Sequence, residues 1–151
     1  MAIWERFDFV RTATVNALAN IDESKWDQQP EGFSNTIKWN AGHIYVSLET
    51  LLKAAAPDLQ TDAEKYAPFF GMGTKPSDWP ETVPSKEEVI ELLTQQKARI
   101  QAHFEGRLSD QPAATIKIGP LALETIDDLL NFALFHEGLH LGIIQSQAKI
   151  V

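Results

Sequence analysis

The sequence predicts an all-α fold: a four-helix bundle made from one domain over residues 1–151. Three observations predict it. Apolar residues recur at three- and four-residue intervals in four separate stretches, the spacing of a buried helix face. Helix start and stop signals bracket those stretches. The 151 residues are enough to bury one sizeable core, and the apolar share of 44% is that of an ordinary globular protein.

The first helix is expected over residues 2–20, with Ile3, Trp4, Phe7, Val10, Val15 and Leu18 near helical spacing. Asn20-Ile21-Asp22 ends it, and a loop over residues 21–35 follows with Pro30 and Gly32. The second helix runs over residues 36–56. Its stripe is Ile37, Ile44, Leu48 and Leu51, and Pro57 stops it. The third opens with a capping box, Ser85 as N-cap and Glu88 three residues on, and ends near Gly106. The fourth starts at Thr125, with Asp127 and Asp128 in the first turn, where acids favour the helix dipole. It continues through Leu129, Leu130, Ala133 and Ile144.

A long crossover over residues 57–84 joins the second and third helices. It holds Pro57, Pro68, Pro76, Pro80 and Pro84, and also Tyr66, Phe69, Phe70, Met72 and Trp79. A link so rich in aromatic residues either walls a pocket or plugs one end of the bundle. Its length allows the two helices it joins to run parallel. Residues 111–124 include Ile116-Lys117-Ile118-Gly119-Pro120, expected to form a short extended piece.

Composition narrows the function. No apolar run reaches the roughly 18 residues of a membrane-spanning helix. The opening residues lack the basic start and apolar stretch of a signal peptide, which places the protein in the cytoplasm as an expectation. Cysteine is absent, so disulfides and thiolate ligands are excluded. A formal net charge of -8 opposes binding to nucleic-acid phosphates, and membrane association is not expected.

Three of the four histidines point to a metal. His136 and His140 are one helical turn apart and fall about 40° from each other on the wheel. They flank the apolar arc of the last helix. His43 lies on the second helix beside Asn40 and Ser47, at the edge of its apolar stripe. Three imidazoles from two facing helices can hold one divalent ion and leave coordination positions open, as catalytic sites do. Glu137 falls inside the apolar arc, so its carboxylate must be paired, linked to the metal or protonated. It is a candidate catalytic group, or an acceptor for a ligand histidine. Trp39, Asn40 and Ser47 are candidate pocket residues. His103, near the end of the third helix, is expected at the surface, where it favours the helix dipole.

His136-Glu137-Gly138-Leu139-His140 also fits the H-E-x-x-H pattern of zinc peptidases. The downstream context does not fit, because Ile143 and Ser146 stand where a metzincin needs glycine and histidine. No acidic residue follows Glu137, so a third ligand must come from upstream, and His43 is the evident one.

Two segments carry a family resemblance. Asn35-Thr36-Ile37-Lys38-Trp39-Asn40-Ala41-Gly42-His43-Ile44 resembles the second-helix motif of the DinB/YfiT-like family. Phe135-His136-Glu137-Gly138-Leu139-His140-Leu141-Gly142 resembles its last-helix motif. The resemblance implies an up-down-down-up bundle with zinc, nickel, iron or manganese on His43, His136 and His140. It also implies a small-molecule substrate, a low-molecular-weight thiol as co-substrate, and a homodimer. Leu141-Gly142-Ile143 departs from the Arg-Gly-Gln that many members carry there. The expected function is thus a metal-dependent enzyme, a thiol-dependent S-transferase or a hydrolase acting on a small molecule. The alternative is a non-catalytic bundle that binds a metal or ligand, or a structural dimer.

Overall fold

The computed structural model describes residues 2–151. Four long helices carry the fold: α1 (Ala2–Asn20), α2 (Ile37–Ala55), α4 (Lys86–Phe104) and α5 (Ile126–Ile150). A short helix, α3 (Ala63–Phe70), lies within the crossover. The strands β1 (Ile116–Ile118) and β2 (Leu121–Leu123) form one antiparallel hairpin. Both α1 and α2 pack against α4 and α5, and α2 also carries α3. Among the described residues no helix is long and apolar enough to cross a membrane.

The helix starts are set by side-chain caps. Thr36 Oγ1 accepts from the Trp39 amide at 3.1 Å and opens α2. Thr125 and Asp128 form a reciprocal capping box at the start of α5. Half of the expected box at α4 forms. Ser85 Oγ accepts from the Glu88 amide, but the Glu88 carboxylate turns away to accept the Tyr66 hydroxyl at 2.8 Å. The buried tyrosine of α3 needs an acceptor, and Glu88 provides it.

Two corrections to a pure four-helix reading follow from residues 57–124. The crossover folds a helix of its own, because Tyr66 and Phe70 sit one turn apart and bury together. The extended piece before α5 pairs with the chain beyond it. Gly119 adopts φ 58°, which suits the tight turn joining the two strands.

Two apolar clusters fill the bundle. One gathers Phe7, Leu52, Phe104 and Leu129 near the start of α1, and the other gathers Leu18, Ile37, Phe70 and Leu93 near its end. Between them runs a polar layer to which all four long helices contribute: Arg11 and Thr14, His43 and Glu49, Gln96, and Glu137. Most of these groups bond one another, although Glu49 Oε2 and Gln96 Oε1 find no hydrogen-bond partner among the described residues. Arg11 donates through Nε and Nη2 to the two Glu137 oxygens, each at 3.0 Å, and through Nη1 to the Leu93 carbonyl at 2.6 Å. Thr14 adds a 2.8 Å bond to Glu137 Oε1. Gln96 and Arg99 donate to Glu49 Oε1. The outer side of α5 carries exposed Phe135, Leu139 and Ile143.

The fork between Arg11 and Glu137 ties α1 to α5 inside the core. Replacing Arg11 by Met strands a buried carboxylate and is expected to cost about 3–5 kcal/mol in urea unfolding. Replacing both partners, Arg11→Met with Glu137→Leu, restores most of that loss. A double variant as unstable as the single one would show that the pair is not the cause.

Candidate metal centre

His43 comes from α2, and His136 and His140 come from α5, the helix that α2 packs against. One ring nitrogen from each lies within 4.8 Å of the others. The Nε2 atoms of His136 and His140 are 3.2 Å apart. Nitrogens bound at about 2.1 Å around a tetrahedral ion stand about 3.4 Å from one another, so the cluster is close to coordinating geometry.

The proton on two of the rings is fixed by their partners. His43 Nδ1 lies 2.7 Å from the Phe70 carbonyl oxygen. A carbonyl only accepts, so Nδ1 carries the hydrogen and Nε2 keeps its lone pair. His140 Nδ1 lies 2.8 Å from Asn40 Oδ1. The Asn40 amide nitrogen donates to the Thr36 carbonyl at 2.8 Å, which aims its oxygen at the histidine. Here too Nε2 is left with its lone pair. An N–H held by an acceptor behind the ring is the usual support of a metal-ligating histidine.

Stacking fixes the ring planes. Trp39 lies over His43 at 4.4 Å between centroids and 13° between planes. Its indole N–H donates to Thr74 Oγ1 at 2.9 Å, which ties the crossover to α2. Phe132 stacks on His136 from one turn earlier on α5. The Ser47 hydroxyl stands 3.1 Å from His43 Nε2, within reach of anything bound there.

Burial keeps the three rings neutral. Desolvation is the main cause that lowers His43, and its bond to the Phe70 carbonyl opposes the shift. Desolvation lowers His136, and the neighbouring His43 adds to the shift. His140 is pushed down to about 4, first by desolvation and then by His136 and His43. Neutral imidazole is the form that binds a metal, so the donor set is ready near pH 7.

Glu137 does not join the histidines. Both of its oxygens are held by Arg11 and Thr14. Of the three alternatives open to a carboxylate at this position it takes pairing, and the catalytic role expected of it has no support in this geometry. Trp39 and Asn40 stand behind the histidines rather than on a pocket wall, whereas Ser47 faces the cavity. His103 is half-buried at the end of α4, beside Asp58 and Arg107, and takes no part in the cluster.

Beside His43 and His136 opens a cavity of about 560 Å³, within the range of small-molecule pockets. α3 and the residues after it form part of its wall through Ala67, Gly71 and Met72. The crossover thus does both things expected of it: Ala67, Gly71 and Met72 wall the cavity, while Tyr66, Phe69, Phe70 and Trp79 pack into the apolar cluster. Gly42 makes this possible. A Cβ there would lie 2.3 Å from the Phe70 ring, so only glycine lets α3 settle on α2 and present its last carbonyl to His43.

The contribution of Phe70 is a backbone atom, which a pattern of side chains does not announce. Arg11 and Thr14 leave a fainter signal. They fall on the Trp4–Phe7–Leu18 face of α1, where apolar residues belong, and they answer the one carboxylate placed inside the apolar arc of α5.

Two outcomes follow from these contacts. Gly42→Ala should push the Phe70 ring off α2, and Asn40→Leu should free His140. Each is expected to weaken metal binding by about 10–100-fold in a competition titration with a chelator. An unchanged affinity in both would remove the supporting role of these partners. The pH dependence has a definite sign. Because the folded-state pKa of His140 lies below its ordinary 6.5, the unfolded chain takes up protons first as pH falls. The stability this group contributes is complete above pH 6.5 and is lost as pH drops towards about 4. Urea midpoints of metal-free protein should fall across that window, and less steeply in His140→Gln.

No curated protein matches this chain. Its sequence does match the family model described as DinB superfamily, over residues 6–144, which takes in all three histidines, both motif segments and the four long helices almost whole. The chain belongs to the DinB superfamily.

Proposed function

We propose that the protein is a metal-dependent enzyme of cytoplasmic location that acts on a small molecule, by S-transfer from a thiol or by hydrolysis. The observation that carries this reading is the convergence of three neutral imidazoles beside a cavity, two of them with the ligand tautomer set by acceptors behind the ring. His43, His136 and His140 would hold one divalent ion. Zinc, nickel, iron and manganese are the candidates, since imidazole accepts several of these metals and no thiolate is available to select among them. Such an ion supplies Lewis-acid activation of a nucleophile or of the substrate.

The chain's own residues do the rest. Asn40 and the Phe70 carbonyl keep the ligand nitrogens aimed inward. Trp39 and Phe132 hold two of the rings from the side. The Ser47 hydroxyl, now 3.1 Å from His43 Nε2, can turn to donate to or accept from a bound molecule. Glu137 is a positioning residue in this scheme. It anchors α5 to α1, one residue from His136, through the Arg11 fork. The pairing of α1 and α2 with α4 and α5 supports the up-down-down-up arrangement.

The decisive measurement is elemental analysis of protein purified without a histidine tag, beside His43→Ala and the double variant His136→Ala/His140→Ala. The parent should carry about one equivalent of a transition metal, and both variants should lose it. A parent without metal that takes up none of the four candidate ions on titration would replace this reading with a ligand-binding bundle.

A further inference from the structure

The walls of the cavity point to its occupant. Phe7, Ile44, Leu48, Leu51, Leu130 and Phe132 line it, and its polar lining is Ser47, Thr50, His43, His136 and Glu137, the last already paired with Arg11. Among the described residues neither lysine nor arginine lines it. Arg11 touches two of the lining residues, Phe7 and Glu137, but both arms of its fork are spent on Glu137 and its third donor is spent on Leu93. Arg99 is committed to Glu49, and Arg107 to Asp58 and Asp110. An anion placed among these walls would lose its water and gain no counter-charge from the protein. The mouth is apolar too. Met72 is 93% exposed and Ile118 is 40% exposed, and both line the cavity, Met72 from the turn after α3 and Ile118 from the end of β1. Large apolar side chains left in solvent at the mouth of an apolar pocket are in place to close over a ligand.

We infer that the substrate is a small molecule with an uncharged, largely apolar body, any charge being confined to the end at the histidines, where a divalent ion would answer it. Its body fills the cavity between Met72 and Ile118, and its one polar group reaches Ser47 and the histidines. The word substrate rests on the metal-enzyme reading, but the binding does not. A thiol bearing carboxylates, if one is used, must keep them off the apolar walls of this cavity.

The test uses full-length protein, both metal-free and zinc-loaded, and the neutral fluorescent probe N-phenyl-1-naphthylamine. Metal content is measured on the same samples. The probe should bind both forms at one site. In metal-free protein, 1-naphthalenemethanol should displace it at a concentration about tenfold or more below that needed by 1-naphthalenesulfonate, which has the same ring system and a charge. Met72→Asp and Ile118→Asp, both at exposed positions, should each weaken probe binding by about tenfold, the loss of roughly one apolar side-chain contact. Equal displacement by the sulfonate overturns the inference, and so does probe binding that both rim variants leave unchanged. Failure of the probe to bind protein that carries one equivalent of metal overturns it as well and leaves the metal reading standing. Probe binding to protein that takes up no metal supports the cavity assignment and overturns the metal reading.

Discussion

Placing polar side chains across the middle of a helical bundle obliges each of them to find a partner there, and much of this structure follows from that obligation. The layer formed by Arg11, Thr14, His43, Glu49, Gln96 and Glu137 separates two apolar clusters that would otherwise merge. A buried donor or acceptor without a partner costs more than an ordinary hydrogen bond returns. The helices are therefore held in the one register that joins the Arg11 fork to Glu137 and brings His140 to Asn40. A bundle held by apolar contacts alone tolerates sliding and repacking, whereas a layer of directional bonds does not.

The histidines extend the same logic to function. Two needs act on each ring at once: its outer N–H must be satisfied, and its inner nitrogen must stay unprotonated. Burial serves the second, as the lowered pKa values of all three rings show. Acceptors serve the first for His43 and His140, and they come from different levels of structure. Asn40 offers a side chain from the preceding turn of α2, and Phe70 offers the last carbonyl of α3. The carbonyl requires α3 to lie close on α2, and that approach requires a residue without Cβ at position 42. The glycine beside His43 and the aromatic crossover are thus parts of one device.

This chain of dependence also explains what was legible in the sequence. The four long helices, their caps and the grouping of His43 with His136 and His140 depend on local periodicity and on polar residues at inward positions, and sequence carries both. Glu137 inside an apolar arc announced that it needed a partner without saying which one. Arg11 and Thr14 answer from α1, and recognising them requires knowing which helix faces which. The α3 helix was hidden by Pro68, which reads as a breaker, although the helix is so short that Pro68 sits near its end. The Phe70 carbonyl was beyond reach for a plainer reason: every residue has one, and only the tertiary fold decides which carbonyl meets an imidazole.

The cavity brings the two halves of the argument together. Its polar end is the edge of the central layer, and its apolar end is the edge of the cluster around Phe7 and Leu130. A ligand there meets directional groups at one end and shape alone at the other, the division of labour expected where a few polar groups fix orientation and apolar walls provide affinity. The acidic surface acts in the same direction. With a net charge of -8, and with Arg11, Arg99 and Arg107 each committed to carboxylates, the long-range field discourages anions before they reach the mouth. Selection for an uncharged body is then set twice, at a distance by the overall charge and at contact by apolar walls without a charged side chain to pair with it. A divalent ion on the three histidines would add positive charge at the polar end alone, so it bears on the head group of a ligand and not on its body.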